Sequence, residues 1–281
     1  MDFTPADIDI FRALFKGRED VFAVRWEKGN RSGYMPAYSY DPYHYRIHKA
    51  NGGSFQSYQH KTYRPLSDSE IARHLEGGQH IGIYPLLQDN TSWFLVADFD
   101  KADWQQEVLK FLEACTARAI PAYLERSRSG NGGHVWIFFD KPYPAVRSRK
   151  LFIAILEESE AFSKFDKGSS FDRLFPNQDY LSGKGLGNLI ALPLFKPAFE
   201  NGNSCFLDPA TLVPVADQFG FLKSVKRIAT SELDDLLVLM KTENNGGTMI
   251  PTYSGKLTIT LQNTVRLNRS AIPQPLVNFL K

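Results

Sequence analysis

The stretch WFLVADFD, Trp93 to Asp100, runs five apolar residues directly into two aspartates separated by a single phenylalanine. Its length and its aromatic and β-branched content predict a largely buried strand over Ser92–Asp100. Side chains alternate along a strand, so Asp98 and Asp100 point to one face and Phe99 to the other. Two carboxylates fixed side by side on a rigid element repel each other unless a cation lies between them. Mg²⁺ or Mn²⁺ suits such oxygen ligands and leaves coordination positions free for substrate phosphates. The plainer reading, a surface turn carrying two acids, fits poorly with so apolar a lead-in.

Upstream, His80–Leu86 reads as another strand, joined to the first through the turn residues Gln88, Asp89 and Asn90. Downstream come a helix over Lys101–Arg118, a short strand over Ala122–Glu125, a strand over His134–Phe139, a helix over Arg147–Phe162 and an apolar run over Asn188–Leu194. Nearer the start, Ile8, Phe11, Leu14 and Phe15 form the stripe of a helix over Asp7–Lys16. Ser67 and Glu70 have capping-box spacing for a second helix that stops at Gly77 and Gly78. Strands and helices mixed in this order, hairpin-like in places, predict an α+β fold rather than a doubly wound parallel sheet. Three stretches follow: an N-terminal α/β unit (1–90), a region holding the acids (91–240), and a linker and tail (241–281). The last opens, after a helical Ser231–Met240, on the polar, glycine-rich TENNGGTMIPTYSGK.

Composition excludes several classes. With 281 residues and 43% hydrophobic content the chain can build a packed core. Its two cysteines, Cys115 and Cys205, stand far apart without a partner motif, which predicts a reducing cytoplasm and no disulfide framework. No run approaches the ~20 apolar residues of a membrane span, and the acidic N-terminus is unlike a secretory signal. The net charge of +2 is mild, but its distribution is uneven. Between Val21 and Pro65 lie seven Lys or Arg against two acids, with seven of the twelve tyrosines. Cations that meet phosphates and rings that stack on bases suit a single strand, with Tyr43, Tyr45, Arg46, Lys49, Lys61 and Arg64 as the candidate contacts. A tyrosine-rich surface loop is the alternative.

A second chemical signal is ERSRSGNGGHVWIFF, Glu125 to Phe139. Ser129, Gly130, Asn131, Gly132 and Gly133 form a turn whose backbone N–H groups can face an anion, flanked by Arg126 and Arg128. The turn delivers His134 onto a strand. Beside two metal-binding carboxylates it suits a triphosphate, with His134 donating to a phosphate oxygen rather than ligating metal. Two ions call for a third acid. Asp172, which precedes an apolar segment, is the choice over Asp140, Asp166 and Asp179.

Together these pieces resemble the archaeo-eukaryotic primase superfamily, whose motifs are an apolar strand ending in DxD, a small-residue loop ending in His, and a later strand acid. The similarity is closer to the primase-polymerase domain of TOTE conflict systems and to CRISPR-associated primase-polymerases. It rests on GIYPLL, WFLVADFD, ERSRSGNGGHVWIFF, FDRLFPNQD, GLGNLIALPLF and the weaker DQFGFL, from about Gly33 to about Leu222. The resemblance implies a palm sheet like that of RNA-recognition folds with helices packed on it. It also implies a template-dependent nucleotidyltransferase that uses two Mg²⁺ or Mn²⁺ ions, nucleoside triphosphates and a single-stranded or primer-template nucleic acid, with primer initiation within the range of the family. Asp98, Asp100 and Asp172 match the metal acids, and Ser129–His134 the triphosphate loop. The tail LNRSAIPQPLVNFLK looks like the join to a helicase domain. Relatives often carry a cysteine-containing zinc knuckle before the first acid. Only His44, His48 and His60 stand there, so no zinc is expected.

Two other enzyme classes share parts of this pattern. A Mn²⁺-dependent glycosyltransferase also places DxD after an apolar strand, but nothing in that class asks for SGNGGH or a basic tyrosine-rich flank. A metal-dependent nuclease also uses acids and a histidine, but has no need of a triphosphate loop. A non-catalytic nucleotide-binding module would dispense with one of the two acids.

Overall fold

The computed structural model describes residues 2–101, 103–161, 169–183 and 185–244. Contacts set Met1–Leu233 apart from the residues that follow, and both main sheets belong to this first unit. The expected tail, from residue 245 onward, and Asp166 lie outside the described residues.

The chain opens with α1 (Pro5–Leu14), where the Thr4 hydroxyl accepts from the Asp7 amide while the Asp7 carboxylate accepts from the Thr4 amide. This reciprocal cap starts the helix two residues earlier than its apolar stripe suggests. β1 (Ala23–Lys28) and β2 (Arg31–Pro36) form a hairpin. β3 (Tyr38–Tyr40), α2 (Pro42–Ala50) and β4 (Lys61–Tyr63) follow, with β3 paired to β4. The rings of Tyr40, Tyr45, Phe55 and Tyr58 pack together there at 5.2–6.5 Å. α3 (Asp68–Leu75) begins at Ser67 as its spacing predicts, although Glu70 turns to Arg64 rather than back to the cap.

After β5 (Ile81–Ile83), β6 (Thr91–Asp100) and α4 (Trp104–Ala117) come β7 (Tyr123–Arg126) and β8 (Gly132–Pro144). α5 (Ala145–Glu158), β9 (Phe171–Phe175), β10 (Ile190–Ala191) and α6 (Lys196–Phe199) follow. β11 (Cys205–Phe206), α7 (Gln218–Ser224) and α8 (Thr230–Asn244) close the described chain. The result is the α+β architecture expected. One antiparallel sheet has the order β11-β7-β8-β6-β9, and a second has the order β10-β5-β1-β2. The second sheet therefore mixes N-terminal strands with one from beyond residue 188.

β6 lies inside the five-stranded sheet and is buried on both faces, which is why its sequence is continuously apolar rather than alternating. Phe99 packs on Phe111 of α4, with ring centroids 6.0 Å apart. On the opposite face Phe94 meets Trp136 of β8 at 5.1 Å, and Trp136 meets Phe15, just past α1, at 5.0 Å. Phe94 and Phe99 are fully buried, and each truncation to alanine in such a core costs about 3–5 kcal/mol. A strand so firmly held is a rigid base for the two aspartates at its end.

Candidate active site

β9 runs beside β6 with Asp98 opposite Arg173 and Phe99 opposite Phe171. Asp172 is therefore the extra residue of a β-bulge, a device that redirects a side chain without ending the pairing. The bulge brings Asp172 to Asp98 and Asp100, so that one oxygen from each carboxylate lies within 4.8 Å of the others. Asp98 is buried while Asp100 and Asp172 are exposed, so the cluster opens to solvent on one side. Arg173 pairs with Asp172 at 2.5 Å. The start of β9 is fastened to α4: the Glu107 carboxylate accepts from the Ser170 amide (2.7 Å) and hydroxyl (2.6 Å), the Ser169 hydroxyl (3.1 Å) and the Phe171 amide (3.3 Å). The sequence reading passed over Glu107, because a glutamate in the first turn of a helix looks like an ordinary favourable end charge.

The donor set fits a hard divalent cation, being all carboxylate oxygen on a rigid strand and its neighbour. Partial burial, then the charge of Asp98, pushes the Asp100 carboxyl above the usual carboxylate range, a repulsion that a bound cation would relieve. Among the described residues no other group of three His, Cys, Asp or Glu side chains converges this closely. The competing acids sit elsewhere. Asp179 pairs with Arg149 at 2.7 Å, and Asp140 accepts from the Thr230 amide at 2.9 Å. Six residues along β8 from His134, Asp140 is roughly 20 Å from that ring at the rise of a strand.

On β8, His134 stands opposite Asp98 of β6 and opposite Glu125 of β7. Its Nε2 is 3.4 Å from Asp98 Oδ1 and its Nδ1 is 3.0 Å from Glu125 Oε2. Glu125 is 2% exposed and also accepts the Trp136 indole N–H at 2.7 Å. Burial opposes a charged imidazole here, but the Glu125 charge and the hydrogen bonds to Asp98 and Glu125 outweigh it and hold the ring well above the ordinary histidine range. Glu125 is the second residue the sequence reading missed. Its only signal in the sequence is a carboxylate on a short strand, directly before the first flanking arginine of the turn.

The turn itself is more structural than its composition suggests. Gly130 has φ +78, and a Cβ there would press on the Asn203 amide at 2.7 Å. Gly132 faces Asp100 across the ladder, where a Cβ would strike the Phe99 carbonyl first and the Asp100 carboxylate at 2.5 Å, so glycine is what lets the end of β6 lie close over β8. A Cβ on Gly133 would strike Trp104 of α4 at 2.5 Å. The Ser129 hydroxyl accepts from the Asn131 amide at 3.3 Å and closes the turn. The two flanking arginines part company. Arg126 donates to the carbonyls of Gly202 (3.0 Å) and Leu212 (2.8 Å) and, paired with Gly133, alternates away from the face that carries His134. Arg128 has no hydrogen bond or ion pair among the described residues, and its charge reaches Tyr34 and His80.

The basic, tyrosine-rich segment is likewise divided. Tyr43 is 63% exposed on α2, and Arg46 and Lys49 are exposed on the same helix. Tyr45 is a member of the ring cluster. The Lys61 ammonium donates to the carbonyls of Phe55 (2.9 Å), Gln56 (3.3 Å) and Tyr58, and Arg64 pairs with Glu70 at 3.1 Å while lying over the Phe22 ring. Lys61 and Arg64 thus hold the fold together, a role that isolated charges in a sequence do not disclose.

Among the described residues no helix is long and apolar enough to cross a membrane. No curated protein matches the chain. Among solved structures, it is similar to the polymerase domain of Mycobacterium tuberculosis Ligase D in complex with DNA, at 12% identity over 86% of this chain and 85% of that one, with a TM-score of 0.40. It is also similar to the archaeo-eukaryotic primase domain of the cyanophage S-2L primase-polymerase, at 11% identity over 84% and 100%, with a TM-score of 0.35. The archaeo-eukaryotic primase domain of TOTE conflict systems matches residues 6–236, which include the three acids, the His134 turn and both main sheets, so the chain belongs to that family of metal-using primase-polymerases and is a nucleotidyltransferase.

Proposed function

We propose that the chain adds nucleotides from nucleoside triphosphates to the 3′-hydroxyl of a nucleic-acid strand, each chosen by pairing with a template base. One observation carries this reading: Asp98, Asp100 and Asp172 converge within 4.8 Å beside His134, where β6 ends. Two Mg²⁺ or Mn²⁺ ions held by these carboxylates would lower the pKa of the attacking hydroxyl and offset charge on the triphosphate and the departing pyrophosphate. The side chains position the reactants. His134 presents Nε2 on the same face as the acids and donates to a phosphate oxygen. Arg128, without a protein partner among the described residues, supplies a second cation for the β- and γ-phosphates. The amides of the Ser129–Gly133 turn add dipoles. Tyr43, Arg46 and Lys49 on the exposed face of α2 contact the single strand.

Transfer of sugars and hydrolysis of nucleic acid use similar acids, but family membership favours nucleotidyl transfer over both. The test supplies labelled ribo- or deoxyribonucleotides with a primed or an unprimed single strand, in Mg²⁺ and in Mn²⁺. Template-complementary extension of the primed strand is the expected result. Products from the unprimed strand add priming to the activity. Absence of incorporation on both strands with both metals overturns the proposal.

A further inference from the structure

Glu125 is a carboxylate taken almost wholly out of water and surrounded by donors that lead to the acid cluster. β7, β8 and β6 are adjacent, and their registers place Glu125, His134 and Asp98 in one cross-strand row. The row is in contact as well as aligned, through a hydrogen bond between Glu125 Oε2 and His134 Nδ1 at 3.0 Å and an ion-pair contact between His134 Nε2 and Asp98 Oδ1 at 3.4 Å. Trp136 enters from behind. Its indole can only donate, and it donates to the same Oε2 at 2.7 Å, which fixes the carboxylate from a second direction. Burying a carboxylate costs desolvation even when it is hydrogen-bonded, and a Gln or Leu would fill the same space at lower cost. A carboxylate here does one thing those residues do not: with no N–H to offer, it can only accept from Nδ1, and so fixes the ring with Nε2 directed at the acids.

We propose that Glu125 is the positioning residue of the site, holding the His134 imidazole by Nδ1 so that Nε2 is aimed at the phosphate of a bound triphosphate. This rests on the reading of the acids and His134 as a nucleotide site. Glu125 acts through His134 and touches no substrate. Trp136 in turn keeps Glu125 from rotating away. The arrangement resembles a ligand histidine steadied by an outer carboxylate, with a phosphate oxygen as the object in place of a metal.

The test is a double-mutant cycle on Mg²⁺-triphosphate binding, measured by calorimetry in the full chain, with Glu125→Gln and Glu125→Ala each made alone and together with His134→Ala. Loss of affinity of about tenfold is expected for Glu125→Ala, and a smaller loss for Glu125→Gln, whose amide oxygen still accepts one hydrogen bond. Neither change should weaken binding further once His134 is alanine, because the residue acts only through the ring. In steady-state incorporation the loss should fall on KM for the nucleotide more than on kcat. Nitrogen-15 spectra of the histidine rings give a readout independent of any activity: His134 Nδ1 should carry its proton in the wild type, and Glu125→Gln should shift that signal. Additive losses in the cycle, or wild-type nucleotide affinity in Glu125→Gln, overturn the proposal. Wild-type protein that binds no triphosphate but shows the protonated Nδ1 signal overturns the nucleotide-site reading while leaving the hydrogen bond intact, so the two failures are told apart.

Discussion

Glu107 accepts both polar hydrogens of Ser170, the amide at 2.7 Å and the hydroxyl at 2.6 Å, and so ties α4 to β9 two residues before Asp172. The Asp100 amide donates to the Ser170 carbonyl at 2.7 Å, which joins β6 to the same point. Two of the three acids therefore share a support that neither of them provides. Glu107→Ala should cost roughly 1–3 kcal/mol, because it leaves buried donors without an acceptor. It should also weaken Mg²⁺ binding, since Asp172 then hangs from a loosened strand end. Urea unfolding and calorimetric metal titration separate the two effects. Unchanged metal affinity in a destabilised variant would confine Glu107 to a structural role.

The three acids should behave as a unit in activity but not in stability. Asp98→Ala with Asp100→Ala should abolish incorporation, and Asp100→Asn alone should leave the melting temperature of the metal-free protein unchanged or higher, because the raised Asp100 pKa records an unfavourable charge. The sign follows from linkage. A carboxyl whose folded pKa is raised favours the folded state below its unfolded value of 3.8 and loses that contribution as pH climbs through the higher folded value. Metal-free wild type should thus lose some stability over that rise, and Asp100→Asn should not. Added Mg²⁺ should raise the wild-type melting temperature and leave the double variant unmoved. Asp172→Ala should stop incorporation as well, whereas Asp179→Ala should cost only the exposed pair with Arg149, about 0–1 kcal/mol, and keep activity. The reverse ranking would move the third metal acid to Asp179.

The acid strand was legible because burial on both faces and strict alternation leave little freedom: an unbroken apolar run ending in D-F-D fixes both the strand and the common side of its carboxylates. Asp172 was legible only through its neighbourhood in the motif, since the bulge that aims it depends on how β9 pairs with β6, and pairing is not written in either strand alone. Glu125 and Glu107 were not legible at all. Each works through partners brought together by the sheet and by α4, and each has a local environment that explains it without function. The glycines of the turn suggest backbone N–H groups facing an anion, yet at Gly132 the decisive fact is the Phe99 carbonyl, with the Asp100 carboxylate beside it, lying where a Cβ would be. Charge counting over Val21–Pro65 treats Lys61 and Arg64 as free cations, whereas the fold gives each of them partners of its own.

Two buried histidines give a second pH signature, away from the acids. His74 and His80 are stacked with ring centroids 5.4 Å apart, and burial first of all lowers their pKa values, to about 4 and about 3. His74 is paired on both sides while neutral, with Nε2 to the Pro193 carbonyl at 2.8 Å and Nδ1 to the Ile81 amide at 3.3 Å. Groups with depressed folded pKa values stabilise the fold above their unfolded value of 6.5 and lose that contribution as pH falls toward the folded values. Urea midpoints should therefore fall between pH 6.5 and about 4. His74→Gln, which can keep a donor and an acceptor but takes up no proton, should flatten the fall. An equal slope in both proteins would assign acid lability to other groups.

The division of the basic segment makes the sharpest contrast between variants of one residue type. Lys49 is exposed on α2, whereas the Lys61 ammonium is enclosed by the carbonyls of Phe55, Gln56 and Tyr58. On a single strand each neutralised phosphate contributes about 0.7 to the slope of log affinity against log salt. Arg46→Ala with Lys49→Ala should accordingly flatten that slope by up to about 1.4 and leave thermal stability within about 0.5 kcal/mol of wild type. Lys61→Ala should do the opposite, unfolding more easily because three carbonyls lose their shared donor, while the well-folded fraction keeps the wild-type slope. Tyr43→Ala should weaken binding by ~1–3 kcal/mol with little change in slope, because stacking releases no counterions. Tyr45→Ala should act chiefly on stability, since its ring packs against Tyr40, Phe55 and Tyr58. Fluorescence anisotropy of a labelled single strand at several salt concentrations, beside thermal melts of the same proteins, reads both quantities. A slope unchanged by loss of Arg46 and Lys49 would take the strand off α2 and leave the exposed helix as part of the fold alone.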